Sequence, residues 1–266
     1  NGLHKATVQK VNMDNNQRSN IGYLGRASYS YDDRYFFTGS YRRDGASVFG
    51  VNQKWGDFFA FGGAWRLSSE KFMSSISYLD DLKLKLSWGK NGNQGLDPYG
   101  TLSTINNDAS GGVRYEFGGS DIIYGLNQKA LGNANLGWET TESWNTGFES
   151  AWLGSRLFVD LDLYFSKTTD QIFTRDIPVM TGFKNMKSSM GQVNNRGVEL
   201  TIRSVNIDTQ DWYWTTNLTF WLNRNKLIHL YGEDLDGDGR EDDDISNSRF
   251  IGKPLGAIYG YLQDGI

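Results

Sequence analysis

The sequence has no cysteine, so a disulfide framework and thiol-ligated metal sites are excluded. It has no apolar run near the roughly 20 residues of a membrane helix, which excludes a helical membrane protein. Clustered basic residues are missing too: 27 Lys and Arg are scattered among 31 Asp and Glu, and the net charge of -4 offers nothing to a nucleic acid. The only histidines, His4 and His229, have no neighbours that would form a nucleophile or metal set. Gly62-Gly63, Gly111-Gly112 and Gly118-Gly119 lack the strand-to-helix setting of a phosphate loop. Among the many carboxylates no spacing establishes a glycosidase pair, and no enzymatic activity is expected. Asn1-Gly2-Leu3-His4-Lys5 has neither the basic nor the apolar region of a leader, and Tyr259-Gly260-Tyr261-Leu262 leads to an end inside a strand-like run. A mature chain or an internal piece of a longer one is expected.

What is present is alternation. Aromatic residues make up 14% of the chain and glycine 32 positions, yet mean hydropathy is -0.54. In the stretch from Ile21 to Trp65, Tyr23, Ala27, Tyr29 and Tyr31 alternate with Arg26, Ser28 and Ser30. Asp32-Asp33-Arg34 makes a polar turn, after which Tyr35, Phe37 and Tyr41 oppose Thr38, Ser40 and Arg42. This predicts a β-hairpin whose arms, about ten residues each, match a tilted bilayer-spanning strand. The same period recurs with Phe59, Phe61 and Trp65, then with Leu82, Leu84, Leu86 and Trp88 against Lys83, Lys85 and Ser87. It returns at Trp138–Trp152, at Leu157–Ser166, at Val198–Arg203 and at Trp212–Asn223.

The predicted connections run in order at 32–34, 44–57, 68–81, 89–137, 153–156, 167–194, 206–211 and 226–252. Every second one is extended, the asymmetry of an up-and-down barrel with tight periplasmic turns and long outer loops. Tyr23, Tyr31, Tyr35, Trp65, Trp88, Trp138, Trp152 and Trp212 fall near strand ends, where interfacial girdles sit. The fold class expected is therefore all-β, an antiparallel up-and-down transmembrane β-barrel. The alternative on pattern alone is a soluble β-sandwich or propeller with these aromatics turned inward, serving as a secreted carbohydrate-binding domain.

Several phrases narrow this choice. Tyr23-Leu24-Gly25-Arg26-Ala27-Ser28-Tyr29-Ser30-Tyr31, Tyr41-Arg42-Arg43-Asp44-Gly45-Ala46-Ser47 and Ala64-Trp65-Arg66-Leu67-Ser68 occur in that order. Gly92-Asn93-Gln94, Leu136-Gly137-Trp138-Glu139, Asn195-Arg196-Gly197-Val198-Glu199-Leu200 and Gly252-Lys253-Pro254-Leu255-Gly256 follow. The ordered set resembles the barrel of SusC/RagA-type TonB-dependent outer-membrane transporters of Bacteroidetes. The resemblance implies a barrel of about 22 strands, to which residues 1–266 would contribute about eight or nine, with the plug domain and remaining strands absent from this chain. It also implies localisation in the bacterial outer membrane, contact with its lipid, a SusD-like surface lipoprotein as partner, and TonB engaged through a segment outside this chain. The implied activity is import of oligosaccharides or peptides; a siderophore or cobalamin receptor of the same class is the alternative.

One local motif carries its own chemistry. In Asp234-Leu235-Asp236-Gly237-Asp238-Gly239-Arg240-Glu241-Asp242, three carboxylates at alternate positions and the Gly239 turn match the first half of a calcium loop. Asp234, Asp236, Asp238, the Arg240 carbonyl and Asp242 are the candidate ligands of a structural Ca2+, and no cofactor is otherwise required. Position 12 of the loop is Ile245, so Asp243 or Asp244 would have to replace the usual glutamate. Substrate contacts are not assignable: Trp55, Tyr99, Tyr115 and Tyr124 could stack on a ligand or pack within their own loops.

Overall fold

Strands that present one apolar and one polar face along their whole length need two solvents, and the architecture supplies two faces. A computed structural model describes residues 15–106, 114–116, 122–125, 127–183 and 185–260. Eight long strands form one antiparallel sheet: β1 (Asn20–Tyr31), β2 (Tyr35–Ala46), β3 (Trp55–Arg66), β4 (Leu79–Asn93), then β9 (Glu139–Trp152), β10 (Leu157–Asp176), β11 (Asn185–Asp208) and β12 (Tyr213–His229). The order is that of the chain, a meander open at β1 and β12. Between β4 and β9 lie four short strands, β5 (Thr104–Asn106), β6 (Arg114–Glu116), β7 (Ile122–Tyr124) and β8 (Asn127–Ala130), which pair β5 with β8 and β6 with β7. Among the described residues helical structure is confined to 3-10 turns, and no helix is long and apolar enough to cross a membrane.

The first hairpin is the predicted one. Tyr29 lies opposite Phe37 and Ser28 opposite Thr38, so the two alternations are in phase. Asp32 and Asp33 both take left-handed φ, 51° and 52°, and the Arg34 N–H closes the turn on the Tyr31 carbonyl at 3.0 Å. Two left-handed central residues give a turn whose twist matches that of the strands, and Asp tolerates the conformation better than most side chains.

Register then carries one face across all eight strands. Phe61 faces Trp88, Trp88 faces Trp144, Trp144 faces Phe165, and Leu200 lies between Leu161 and Phe220. These side chains are largely uncovered: Tyr23 is 59% exposed, Phe61 56% and Phe220 54%. A sandwich requires a second sheet packed about 10 Å above this face; among the described residues none is there. An apolar surface this extensive exceeds what a soluble monomer exposes, and hydrocarbon is the solvent that fits it.

One of the predicted connections turns out to be strand in large part. β10 and β11 continue to Asp176 and from Asn185, so the expected loop at 167–194 shrinks to 177–184. The alternation stops there, but the backbone ladder does not, apart from register shifts near Gln171. The region 68–81, predicted as a connection, is built on the 3-10 turns Leu67–Ser69 and Lys71–Met73. His4, Gly111-Gly112, Gly118-Gly119 and the closing residues 261–266 lie outside the described residues.

The buried core is small and sits at the long-loop end. Ala46, Val48, Phe49, Leu96 and Leu136 cluster there against Trp138 and Ile172, and Val193, Leu227 and Leu230 form a second cluster against Phe173, Tyr231 and Ile251. These clusters anchor the loops above the sheet.

Candidate functional site

The polar face of the sheet is organised by charge. On β4, Lys83 and Lys85 point to this face, Lys83 opposite Glu149 and Lys85 opposite Gly147 of β9, in line with Asp160 and Asp162 of β10. Lys83 Nζ lies 2.6 Å from Glu149. Lys85 Nζ contacts Glu149 at 3.2 Å, Asp160 at 2.9 Å and Asp162 at 3.1 Å. Two ammoniums thus stitch three strands together with three carboxylates. On the neighbouring pair, Tyr164 faces Gly197, where a Cβ would collide with the phenol ring and the Leu222 carbonyl. A wall of this composition is wet and weakly anionic.

Towards the long-loop end the same face opens into a cavity of about 650 Å³ lined by Arg18, Arg42, Asp44, Phe58, Asn93 and Trp138 among others. Arg42 pairs with Asp44 at 2.6 Å, and Arg18 donates to Gln94. Phe58 meets Trp138 edge-on at 5.4 Å between centroids, its ring filling the space above Gly92 that any side chain there would need. Glu139 accepts from Asn93 at 2.8 Å and from the Ile172 N–H at 2.9 Å, tying β4, β9 and β10 together next to Asn93 of the cavity lining. The site therefore offers cationic and anionic groups beside ring faces, which suits a polar ligand with apolar edges.

The acidic turn after β12 folds around its own carboxylates. Asp234 accepts from the N–H groups of Gly237 at 2.7 Å, Asp238 at 3.1 Å and Gly239 at 2.9 Å. Gly237 and Gly239 have φ of 77° and 81°, which permits the tight winding. Oxygens of Asp234, Asp236 and Asp242 converge within 4.8 Å of one another. Asp238 does not join that group; its carboxylate accepts the Arg240 N–H at 2.8 Å. The expected replacements for the missing glutamate are engaged elsewhere. Asp243 accepts from Ile251 at 2.6 Å, while Asp244 caps the 3-10 turn Ile245–Asn247 and contacts Arg249 at 3.1 Å and Tyr231 at 3.0 Å. Burial, reinforced by the bond to Asp244, pushes the Tyr231 hydroxyl up to about 12. Arg249 also lies over the Phe173 ring at 4.5 Å. Sequence reading missed this Tyr231–Asp244–Arg249 node because its members are far apart in any periodic pattern. The lysine–carboxylate lattice was visible only as a polar face, since its pairing needs the register.

A family described as TonB dependent receptor-like, beta-barrel, matches residues 4–265. The chain belongs to the TonB-dependent receptor β-barrel family. A TonB-dependent receptor of Formosa agariphila is 32% identical over the whole chain, which spans 24% of that protein. The TonB-dependent receptor SusC of Bacteroides thetaiotaomicron is 33% identical over 235 residues, 87% of this chain and 23% of SusC. Among solved structures, the RagAB peptide transporter superposes with a TM-score of 0.71 at 25% identity, covering 81% of this chain and 23% of that one. The chain thus spans about a quarter of the length of the relatives it matches, and its eight-stranded meander is similar to a sector of that length in their barrels. In a TonB-dependent receptor barrel the aromatic face is the lipid face, the lysine–carboxylate lattice lines the lumen, and the short turns at 32–34, 153–156 and 209–212 share one end.

Proposed function

We propose that this chain forms part of the wall of an outer-membrane transporter that imports oligosaccharides or peptides with a SusD-like surface lipoprotein, driven through TonB by a segment outside this chain. The observation that carries the reading is the hydrated inner wall leading to the loop-end cavity of Arg18, Arg42, Asp44, Phe58 and Trp138. Likeness to SusC and to the RagAB peptide importer supports it. Mixed charge and exposed rings recognise peptides and sugars alike, whereas a siderophore or cobalamin receptor is the reading to which the relatives lend less support. The test is uptake of labelled oligosaccharides and peptides by cells with and without the full-length gene, together with co-purification of a surface lipoprotein. Unchanged uptake of both substrate classes, with loss of growth under iron or cobalamin limitation, would overturn the reading.

We also propose that the Asp234–Asp236–Asp242 group holds a Ca2+ that stiffens the loop above β12. Three converging carboxylates supply hard oxygen ligands, and Asp238 and the Arg240 carbonyl are the remaining candidates in the same turn.

A further inference from the structure

The turn that follows β4 holds an aromatic residue in a conformation that suits glycine. Asp97-Pro98-Tyr99-Gly100 closes on itself, the Gly100 N–H donating to the Asp97 carbonyl at 3.0 Å. Tyr99, third in the turn, has a φ of 63°, the left-handed region where such turns take glycine or asparagine. The other side chains with positive φ among the described residues belong to Asp, Ser and Leu, so Tyr99 is the one aromatic. There the Cβ of an L-residue crowds its own backbone, and the conformation persists only where the surroundings impose it. Here they do: Leu96, just before the turn, is buried with Val48, Phe49 and Leu136, and a Cβ at Gly100 would strike it. The turn is firmly seated.

Packing explains the turn but not the ring. Tyr99 is 47% exposed, and among the described residues its hydroxyl makes no hydrogen bond and its ring meets no other ring. It lines a cavity of about 470 Å³ at the loop end, shared with the loop between β2 and β3. Buried Val48 and Phe49 line this cavity from the core side, while Pro98, Leu102 and Val51 add apolar surface, Val51 being 81% exposed. Lys54 is the only charged residue of the lining, and it has no ion pair among the described residues. Ser19 and Ser47 are spent on one another, the Ser19 N–H donating to the Ser47 hydroxyl and the Ser47 N–H to the Ser19 carbonyl, both at 2.9 Å. An oligosaccharide would bring many hydroxyls to these walls, and each one buried without a partner is costly. An apolar side chain next to a carboxylate finds both of its partners here.

We propose that Tyr99 and Lys54 form a second ligand site, which seats an apolar side chain of a peptide against the Tyr99 ring and pairs the adjoining carboxylate with the Lys54 ammonium. The left-handed turn holds the ring at the cavity instead of letting it fold back on its own loop. This rests on the transporter reading and selects, of its two substrate classes, the peptide.

The experiment titrates the full-length transporter in detergent, by calorimetry, with a tetrapeptide of three alanines and a C-terminal leucine, as the free acid and as the amide. Tyr99→Gly is expected to bind the free acid about tenfold more weakly than wild type, and Tyr99→Phe to stay within about twofold. Lys54→Gln should weaken the free acid about tenfold and leave the amide unchanged. Glycine is at ease in the left-handed region, so Tyr99→Gly should also keep or raise the thermal midpoint, which the loss of a merely structural tyrosine would lower. Equal affinity of wild type and Tyr99→Gly for the free acid overturns the proposal. So does a wild type that binds no peptide, or a loss of binding that comes with a lowered midpoint. Maltotetraose should bind wild type and Tyr99→Gly equally; a loss for the sugar in place of the peptide refutes the peptide assignment. Uptake of labelled peptide and oligosaccharide by cells tests the transporter reading separately. Uptake of either, with Tyr99→Gly binding the free acid like wild type, refutes this site alone, whereas cells that take up neither refute the transporter.

Discussion

Leu218 and Thr219 are neighbours on β12 whose side chains face different solvents, and replacing each by arginine isolates that difference. Leu218 lies six residues from both Trp212 and Arg224, so it marks the middle of the apolar band, with its side chain 57% exposed to what surrounds the barrel. Thr219 lies opposite Thr201 on the lumen face. An arginine at the midplane of a barrel's lipid face costs about 2–4 kcal/mol, whereas a lumen arginine stays hydrated. At about 1.4 kcal/mol per tenfold, Leu218→Arg is expected to lower the folding constant roughly thirty- to several-hundred-fold. Thr219→Arg should remain within about 0.5 kcal/mol of wild type, as surface substitutions do. Reversible urea unfolding of the full-length protein in liposomes, followed by tryptophan fluorescence, reads both values. Equal losses at the two positions, or a larger loss at Thr219, would refute the assignment of the faces and with it the membrane reading of the sheet.

Lys85→Met leaves Asp160, Asp162 and half of Glu149 facing one another and should cost about 1–2 kcal/mol, more than a single exposed pair, in the same unfolding assay. Gly197→Val forces the Tyr164 ring and the Leu222 carbonyl apart, an overpacking cost of about 1–3 kcal/mol. Glu241 gives a pH signature. Burial alone would raise its carboxyl, but N–H bonds from Gly232 and Leu230 and the neighbouring His229 bring it below the usual range. A depressed folded-state value stabilises above the unfolded value of about 4.3 and is lost as pH falls through the folded one. Protection of the Leu230 and Gly232 amides against hydrogen exchange should therefore drop with acid in that window, and Glu241→Gln should flatten the response. For the acidic turn, calorimetric titration of Ca2+ into the full-length protein should release heat that Asp236→Ala abolishes; no heat in wild type would sink the calcium proposal.

The strands of the sheet were legible because each lies between two solvents. Tyr29 against Ser28, Leu84 against Lys85 and Phe220 against Thr219 record the boundary at every step, and register follows from keeping like with like. The same cause explains where sequence reading stopped short. The predicted connection ran over 167–194, while β10 and β11 stay paired through Asp176 and Asn185. Beyond Phe165 both faces of the hairpin meet water or loops, so Thr168, Thr169, Asp170 and Gln171 have no reason to alternate, although their backbone still pairs for most of its length. Lys167 and Asn194, the ends of the predicted connection, are opposite one another and belong to the row that carries Lys226. Periodicity therefore marks the edge of the hydrocarbon and not the end of a strand. In a barrel these differ by the height to which the strands project, and here Lys167 on β10 and Lys226 on β12 draw the line between them.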